Sequence, residues 1–386
     1  MKTIYFDNNA TTKVAEEVLE EMKPFFCELY GNPSSMHTFG GQTGQKIRQA
    51  REQVAGLLGC DPSEIIFTSC GTESDNTAIK GVLEALPNRR KVITTRVEHP
   101  AVLSVCRSLE NHGLKVVELP VDREGQIDLA QLEEEVDDDT ALVTIMYANN
   151  ETGVMFPIDR IAEITAEKGV VFHTDAVQAV GKIPLNLSKS SIDLLSISAH
   201  KLHGPKGVGV LYVRRGTRLR PFMLGGHQEG GRRAGTENVP GIIGLGKACE
   251  LAAKNIREEN EKVKKLRDKL ENAILRSCPD CRVNGDRENR LPNTTNISFE
   301  YIEGESILLM LDTYGICASS GSACTSGSLE PSHVLRAMGV PFTSAHGSIR
   351  FSLSRYNTEE EVDYTIEKTP GIITRLRELS PFVAKR

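Results

Sequence analysis

The stretch "DLLSISAHKLHGPKGVGVLYVR" (residues 193–214) contains two short apolar runs separated by a polar turn. Its first six and last seven residues have the length and apolar content of buried strands. The glycines and the proline between them predict a tight turn before the second strand. Lys201 therefore follows directly after a buried strand, which is where α/β proteins place ligand-binding side chains.

The same succession of apolar run, break and helical pattern repeats from about residue 60 to residue 215. Strands that alternate with helices indicate βαβ units and a mostly parallel sheet covered by helices on both faces. We therefore expect an α/β fold with seven strands in its main sheet. The predicted strands are "EIIFTS" (64–69), "KVITTR" (91–96), "KVVELP" (115–120), "ALVTIMYA" (141–148), "VVFHTD" (170–175), "DLLSIS" (193–198) and "VGVLYVR" (208–214).

The segments between the predicted strands also contain signals for helix boundaries. Pro100 is predicted at the first position of one helix, and Thr72 or Ser74 is predicted to cap another. Apolar residues recur at helical spacing in "ENEKVKKLRDKLENAIL" (259–275), which predicts a long amphipathic helix that leads into a second domain. We expect a large α/β domain over residues 14–258 and a smaller α+β domain formed by residues 1–13 and 259–386.

The composition narrows the class of protein. Of 386 residues, 39% are hydrophobic and 25% charged, with a net charge of -6, which argues against direct nucleic-acid binding. No apolar run approaches the ~20 residues that span a bilayer. The start "MKTIYFDNNATT" lacks a signal-peptide pattern, so we expect a cytoplasmic protein without membrane contact. Nine scattered cysteines indicate reduced thiols.

Polar residues follow the predicted strands where the strands end. Because the carboxyl ends of parallel strands meet at one edge of a sheet, these side chains are expected to converge on a single rim. Each one alone has an ordinary structural explanation, such as a helix cap or a turn residue, and it is the shared placement that favours a site. The residues are Gly71, Thr72, His99, Asn150, Asp175, His200 and Lys201.

The chemistry of this set suits an aldehyde cofactor. Such a cofactor needs an amine to carry it, a carboxylate to keep a pyridinium nitrogen protonated, an anion site for its phosphate and a ring stacked on its face. Lys201 supplies the amine, and a lysine beside an apolar strand suits Schiff-base chemistry. Asp175 supplies the carboxylate, the helix start at Gly71 and Thr72 the anion site, and His99 the ring.

The sequence resembles pyridoxal phosphate (PLP) enzymes of the class V aminotransferase group, fold type I. Within that group it is similar to cysteine desulfurases of the NifS/IscS kind, most closely to the nitrogen-fixation type. The resemblance covers essentially the whole chain. It rests on "YFDNNATT", "YGNPSSMH", "FTSCGTESDN", "VEHPAV", "NNETG", "HTDAVQAVGK", "SAHKLHGPKG", "RRAGTEN", "SSGSACTSGS" and "IRFSLSRY".

The resemblance implies roles for individual residues. Lys201 would carry PLP and move the Cα proton of the substrate, while Asp175 would hold the pyridine nitrogen and His99 would stack on the ring and transfer protons. Arg350, an arginine suited to binding a carboxylate with both arms of its guanidinium, would hold the substrate carboxylate together with Asn32 and Asn150. The implied cofactor contacts are His99, Asn150, Asp175 and Lys201. At the phosphate they are Gly71, Thr72, Ser198 and His200. Gln178 would contact the phenolic oxygen, and Thr236 would contact the phosphate of a neighbouring subunit.

The resemblance also implies the reaction. Cys324, as a thiolate, would attack the sulfur of L-cysteine, leaving alanine and a persulfide on the enzyme. The sulfur would pass to an iron–sulfur scaffold protein, and in the nitrogen-fixation type it would be used for nitrogenase maturation. A homodimer with shared sites is implied, and no metal site beyond a transient iron–sulfur contact through the Cys324 persulfide. Cys324 lies among small residues in "ASSGSACTSGSLEPSH" (318–333), so we expect a mobile loop.

Three alternatives stay open from the sequence. A selenocysteine lyase or an aminotransferase on the same fold would use Lys201 without needing Cys324. A housekeeping desulfurase of the IscS type would also feed tRNA thiolation. A thiol or metal carrier built on "CPDC" (278–281) is the third, although one such motif without further ligands is a weak signal. One departure from the family pattern is Gly230, where many members carry an arginine.

Overall fold

The computed structural model describes residues 3–320 and 331–381 of the chain. Its strands are β1 (Ile4–Tyr5), β2 (Ile65–Thr68), β3 (Lys91–Thr95), β4 (Lys115–Leu119), β5 (Thr140–Thr144), β6 (Val171–Asp175), β7 (Leu194–Ser198), β8 (Gly209–Val213), β9 (Cys281–Val283), β10 (Thr294–Phe299), β11 (Ile316–Cys317) and β12 (Ser348–Ser352). Its α-helices are α1 (Glu16–Met22), α2 (Pro24–Cys27), α3 (Thr38–Leu58), α4 (Gly71–Ala85), α5 (Pro100–Glu110), α6 (Leu129–Glu135), α7 (Ile158–Glu167), α8 (Val239–Ser277), α9 (Gly304–Thr313), α10 (His333–Ala337), α11 (Phe342–His346) and α12 (Glu359–Leu379).

The main sheet has seven strands in the order β2-β8-β7-β6-β5-β3-β4. Strand β8 runs antiparallel to β2 and β7, and the other pairs are parallel. All seven predicted strands are present within one or a few residues of their predicted bounds, and the expectation of a mostly parallel α/β sheet is confirmed.

Both faces of the main sheet are buried. Along β2, Ile65 and Phe67 join one apolar cluster, whereas Ile66 joins another on the opposite face. This alternation follows from the two-residue period of a strand, and it requires helices on both sides. Helices α4 and α5 cover the Ile66 face, while α3 and α8 pack together on the other face.

Helix α8 passes from the main sheet into a second apolar cluster. Leu245 and Ala248 in its first part belong to the core of the main sheet, and Leu266 and Leu270 in its later part belong to the second cluster. The predicted amphipathic segment is therefore present but begins earlier than expected. The predicted domain boundary between residues 258 and 259 falls inside this unbroken helix, and the division into domains stays a prediction.

Around the second cluster, β10 pairs antiparallel with β9 and β12. Strands β1 and β11 form a separate parallel pair, which brings the N-terminal segment into the same region. Helices α9 and α12 pack against each other beside these strands. Among the described residues, no helix is both long enough and apolar enough to cross a membrane.

The predicted helix starts are half right. Pro100 occupies the first turn of α5 as predicted, with His99 at the N-cap. The prediction that Thr72 or Ser74 caps a helix is wrong, because α4 already begins at Gly71 and both residues lie within its first turn. Ser74 instead shares a 2.8 Å hydrogen bond with Thr68 at the end of β2. Within the described chain no side chain caps α4.

A buried ion pair joins α8 to the second sheet. The carboxylate of Glu271 accepts two hydrogen bonds from Arg290, at 2.6 and 2.9 Å, and one from Thr295 of β10 at 2.6 Å. Arg287 adds a further contact at 3.0 Å. Both Glu271 and Arg290 are buried, so loss of the carboxylate would leave a desolvated positive charge without a partner.

We predict that Glu271→Ala lowers the free energy of unfolding by about 3 to 5 kcal/mol, the cost of breaking a buried ion pair on one side. The control is Glu163→Ala in α7, which breaks an exposed pair with Arg160 and is expected to cost less than about 1 kcal/mol. Urea unfolding followed by circular dichroism gives both values. Equal shifts in the two variants would contradict this account of the α8 contact.

Candidate active site

A cavity of about 320 Å³ lies at the carboxyl ends of the parallel strands of the main sheet. The structure brings ten of the predicted site residues to its wall, and the expected convergence on one rim is therefore observed. They are Gly71, Thr72, His99, Asn150, Asp175, Gln178, Ser198, His200, Lys201 and Arg350. Sequence reasoning did not identify Asn9, Cys70 and Asp75, which line the same cavity.

Lys201 stands at the end of the short turn that follows β7. Its Nζ donates hydrogen bonds to the backbone oxygens of Asn9, at 2.5 Å, and Ala10, at 2.7 Å. The same N-terminal segment is tied to this turn by Thr12, whose backbone N–H donates to the carbonyl of His200 at 2.9 Å. The segment "NNATT" therefore forms part of the wall around the amine.

Asn9 uses every one of its hydrogen-bonding groups in this wall. Its carbonyl accepts from Lys201 and from Gln178, and its backbone N–H donates to a serine side chain of β12. Its side-chain Nδ2 donates to the backbone oxygen of Asn150 and to Thr294 of β10, while its Oδ1 accepts from Asn293. The residue is buried, so these bonds are shielded from water.

Asp175 ends β6 and faces the cavity near His99. Burial raises the pKa of Asp175 above its usual range, and only part of this effect is offset by His99, by a hydrogen bond from the backbone N–H of Val177 and by Lys201. A buried carboxylate of this kind gains stability from a cationic partner. A protonated ring nitrogen of a bound ligand would be such a partner.

The orientation and charge of His99 follow from its place at the start of α5. Its Nδ1 accepts a 3.1 Å hydrogen bond from the backbone N–H of Ala101, so the neutral ring carries its proton on Nε2. Burial lowers the pKa of His99, with Asp175 opposing and Lys201 adding to the shift. At neutral pH the ring is therefore uncharged.

Two further buried acids lie next to these residues. Asp75 of α4 has a pKa raised well above its usual range by burial and by the charge of Asp175, and its Oδ1 has no hydrogen-bond partner among the described residues. Burial raises the pKa of Glu98 to about 8. Three carboxyl groups thus share one poorly solvated region, and positive charge at the cavity would stabilise their ionised forms.

One end of the cavity is suited to an anion. Helix α4 begins there, and its uncapped first turn presents backbone N–H groups and the positive end of the helix dipole. Gly71 permits the close approach of this turn, because a Cβ at that position would lie 2.8 Å from the side chain of Val177. Ser198 and His200 lie on the same wall, and burial lowers the pKa of His200 to about 4.

The opposite end is suited to a carboxylate. Arg350 of β12 is buried, donating to the backbone oxygen of Asn150 at 3.1 Å and to Asp7 at 2.7 Å. Its Nε has no hydrogen-bond partner among the described residues. The guanidinium is held in place by Asp7, which balances part of its charge, and Arg350 lines the cavity.

Two predicted residues lie outside the cavity wall. Asn32 is exposed in the segment before α3, and Thr236 is exposed in the segment before α8. The predicted nucleophile Cys324 and the central part of its expected mobile loop, residues 321–330, lie outside the described residues. Their roles stay predictions.

The loop that contains Gly230 is held without an arginine at that position. Gly230 has a φ of 66°, a conformation that costs a side-chain-bearing residue free energy. Next to it, Glu229 pairs with Arg51 at 2.6 Å, and Arg233 pairs with Glu73 in the first turn of α4 at 2.8 Å. These two pairs attach the loop to α3 and α4.

The "CPDC" segment shows no feature of a metal site. Cys278 is buried and Cys281 begins β9, with its thiol 2.9 Å from the backbone oxygen of Cys278. Within residues 3–320 and 331–381, no cluster of three or more metal-binding side chains occurs.

The sequence and the fold match those of known proteins. The family model described as aminotransferase class-V matches residues 4–365. The chain is 65% identical to a cysteine desulfurase of Trichormus azollae, over 99% of this chain and 96% of that protein. It is 59% identical to the cysteine desulfurase NifS of Azotobacter vinelandii, over 99% of this chain and 95% of that protein.

A solved structure described as a NifS-like protein superposes with a TM-score of 0.92 at 45% identity, covering 97% of this chain and all of the other. This agreement covers nearly the whole chain and therefore includes both sheets. The chain is therefore a member of the aminotransferase class-V family, in the group that contains the NifS-type cysteine desulfurases.

Proposed function

We propose that the protein is a PLP-dependent cysteine desulfurase that converts L-cysteine to L-alanine and leaves the sulfur as a persulfide on Cys324. The observation that carries this proposal is the single cavity that combines the amine of Lys201, the buried carboxylate of Asp175 and the guanidinium of Arg350. These groups match an aldehyde, a pyridine nitrogen and an amino-acid carboxylate respectively.

The residues present fit PLP. Asp175, whose pKa is raised by burial, gains a cationic partner in the pyridine nitrogen. The start of α4 would accept the phosphate, with Ser198 and His200 on the same cavity wall. His99 would cover the ring, Gln178 would contact the phenolic oxygen and Lys201 would hold the cofactor covalently. When bound, PLP withdraws electrons from the substrate Cα and so makes its proton acidic.

The side chains of the chain itself bind, orient and move protons. Arg350, which lines the cavity beside Asn150, would receive the substrate carboxylate with its guanidinium. Lys201 would take up the Cα proton of the substrate. Neutral His99 carries a proton on Nε2, which it donates and recovers as charge develops on the reacting groups.

The sulfur step balances within the enzyme and its substrate. The Cys324 thiolate attacks the sulfur of L-cysteine, the C–S bond breaks and an S–S bond forms on Cys324. The carbon skeleton keeps both electrons of the broken bond, takes up protons at Cβ and Cα, and leaves as alanine. Cysteine sulfur is thereby oxidised to the persulfide level while the carbon is reduced, so no external oxidant is required.

A homodimer would complete the site. The two predicted residues outside the cavity, Asn32 and Thr236, lie in segments with unusually exposed apolar side chains. Tyr30 and Met36 flank Asn32, and Leu224 lies in the loop before Thr236. Exposed apolar side chains of this kind favour burial against another chain. Thr236 would then reach the phosphate in the neighbouring subunit.

The sulfur would be transferred to an iron–sulfur scaffold protein in the cytoplasm and used for nitrogenase maturation. The similarity to NifS of Azotobacter vinelandii supports this use over the housekeeping alternative. The selenocysteine lyase alternative differs in a testable way, because it has no need of Cys324.

The proposed reaction predicts equal amounts of alanine and sulfide when the purified protein is incubated with L-cysteine and a dithiol reductant. The reductant releases the persulfide sulfur, so each turnover gives one of each product. Amino-acid analysis and a colorimetric sulfide assay measure the two. Formation of a keto acid in place of alanine would identify a transaminase and overturn the proposal.

Cys324→Ala is expected to retain the yellow bound cofactor but to lose sulfide release from L-cysteine by at least about 10³-fold, because the nucleophile is gone. Cys27→Ala, which removes an exposed thiol of α2, is the control and should retain activity. Unchanged sulfide release by Cys324→Ala would favour a lyase mechanism instead.

Lys201→Ala is expected to lose the covalent attachment of the cofactor. Borohydride reduction followed by peptide mass spectrometry should fix the cofactor to Lys201 in the unmodified protein and to no residue in the variant. Lys206→Ala, an exposed lysine of the same turn, should retain the attachment at Lys201. Attachment to another lysine in the original protein would show that the assignment of Lys201 is wrong.

A further inference from the structure

A second, smaller cavity lies behind Lys201. Its volume is about 50 Å³, enough for a single water molecule, and its wall includes Lys182, His203, Glu259 and Arg355. Of the described residues, Lys201 alone lines both this rear cavity and the main one. Lys201 therefore borders two polar regions of the protein.

Lys182 connects this rear cavity to the main one through Gln178. Its Nζ donates to the backbone oxygen of Gln178 at 2.8 Å and lies 3.3 Å from the side-chain Oε1 of the same residue. The backbone oxygen of Lys182 in turn accepts a hydrogen bond from Asn260 of α8. Lys182 is thus fixed at both its backbone and its side chain.

These contacts determine which way the amide of Gln178 points. Oε1 faces the Lys182 amine, and Nε2 donates to the backbone oxygen of Asn9 at 3.1 Å. A flipped amide would set two donors against each other at Lys182 and two acceptors against each other at Asn9. Because Gln178 is buried, neither conflict would be relieved by water. The amide therefore presents Nε2, with its second hydrogen, as a donor at the cavity wall.

The positive charges near Lys182 lower its pKa, as its burial does. Burial lowers the pKa of Lys182 to about 7, and the positive charges of Lys201 and Arg350 add to that shift. In the rear cavity Glu259 is paired with Arg355 at 2.7 Å, and burial lowers the pKa of His203 to about 4. Glu259 is therefore paired with Arg355, and the charges that act on Lys182 are those of Lys201 and Arg350.

We propose that Lys182 is a positioning residue for the cofactor: by holding Oε1 of Gln178 it aims Nε2 at the phenolic oxygen and so sets the ionisation of the linkage at Lys201. The inference rests on the proposed function, since it requires PLP bound through Lys201. A donor to the phenolic oxygen stabilises its anion, and a nearby positive charge disfavours a further proton on the linkage. Both effects lower the pH at which the linkage loses its proton.

The test is a spectrophotometric pH titration of the cofactor-loaded protein, in which the visible absorption band reports protonation of the linkage. Lys182→Met is expected to raise the midpoint by roughly 0.5 to 1.5 pH units, the size of effect that one hydrogen bond gives. Lys182→Arg, which keeps a positively charged donor, is expected to return the midpoint most of the way to that of the unmodified protein. Lys206→Met removes an exposed charge from the neighbouring turn and should leave the midpoint within about 0.2 units.

The role of Gln178 is tested by repeating the substitution in a Gln178→Leu background. If Lys182 acts through the amide, Lys182→Met shifts the midpoint there by less than half as much as in the original protein. A full shift in that background would show that Lys182 acts through its charge alone and would overturn the positioning role. So would an unchanged midpoint in Lys182→Met.

Two further outcomes distinguish a failure of this inference from a failure of the proposed function. An unmodified protein with no visible absorption band would refute PLP binding, and the inference would fail with it. If Lys182→Met does not fold or does not hold the cofactor, the Gln178→Leu and Lys182→Arg titrations still test the proposal. A Gln178→Leu midpoint equal to that of the unmodified protein would overturn it.

Discussion

Asn9 is the residue on which the geometry of the site depends most. It links the turn after β7, the segment of Gln178 and the second sheet through bonds that leave none of its polar groups unpaired. Because Asn9 is buried, loss of any one of these bonds would leave a desolvated donor or acceptor. The N-terminal segment thereby fixes the amine of Lys201 relative to β10 and β12, and so relative to Arg350.

That constraint explains how one cavity can combine opposite electrostatic demands. Near the main sheet, Asp75, Glu98 and Asp175 all have pKa values raised by burial, which favours their neutral forms. Arg350 of the second sheet supplies a positive charge that, like that of Lys201, acts on Lys182. A ligand with a cationic ring nitrogen beside Asp175 and a carboxylate beside Arg350 would relieve both sides at once, which is the charge pattern of PLP with an amino acid.

The sequence predicted the main sheet well because buried parallel strands are continuous apolar runs, and polar residues at their ends mark the rim. The cap at Thr72 or Ser74 was wrong for a local reason: Ser74 bonds to Thr68 instead, and α4 starts earlier. Asn9 and Lys182 were missed for a different reason. Their partners are distant in the sequence or depend on the orientation of one amide, and neither leaves a periodic pattern. Thr236 is predicted to act at the phosphate of a second chain, which a single sequence does not position. Asn32, predicted to hold the substrate carboxylate, lies outside the cavity wall, and its role stays a prediction.

The pairing of Arg350 with Asp7 has a consequence for how the substrate end of the cavity works. A buried guanidinium without any partner would be strongly unfavourable, so the resting protein needs a counter-charge at this position. Asp7 provides it through one nitrogen at 2.7 Å and is itself partly exposed to solvent, which limits the strength of the pair. The backbone oxygen of Asn150 accepts from a second nitrogen, and Nε is left over within the described chain. The arginine is thus held in place by the fold, and a carboxylate bound there would meet an oriented guanidinium whose positive charge has been moderated but not cancelled. Orientation is then established by the fold, and little of the substrate's binding free energy is needed to order the side chain.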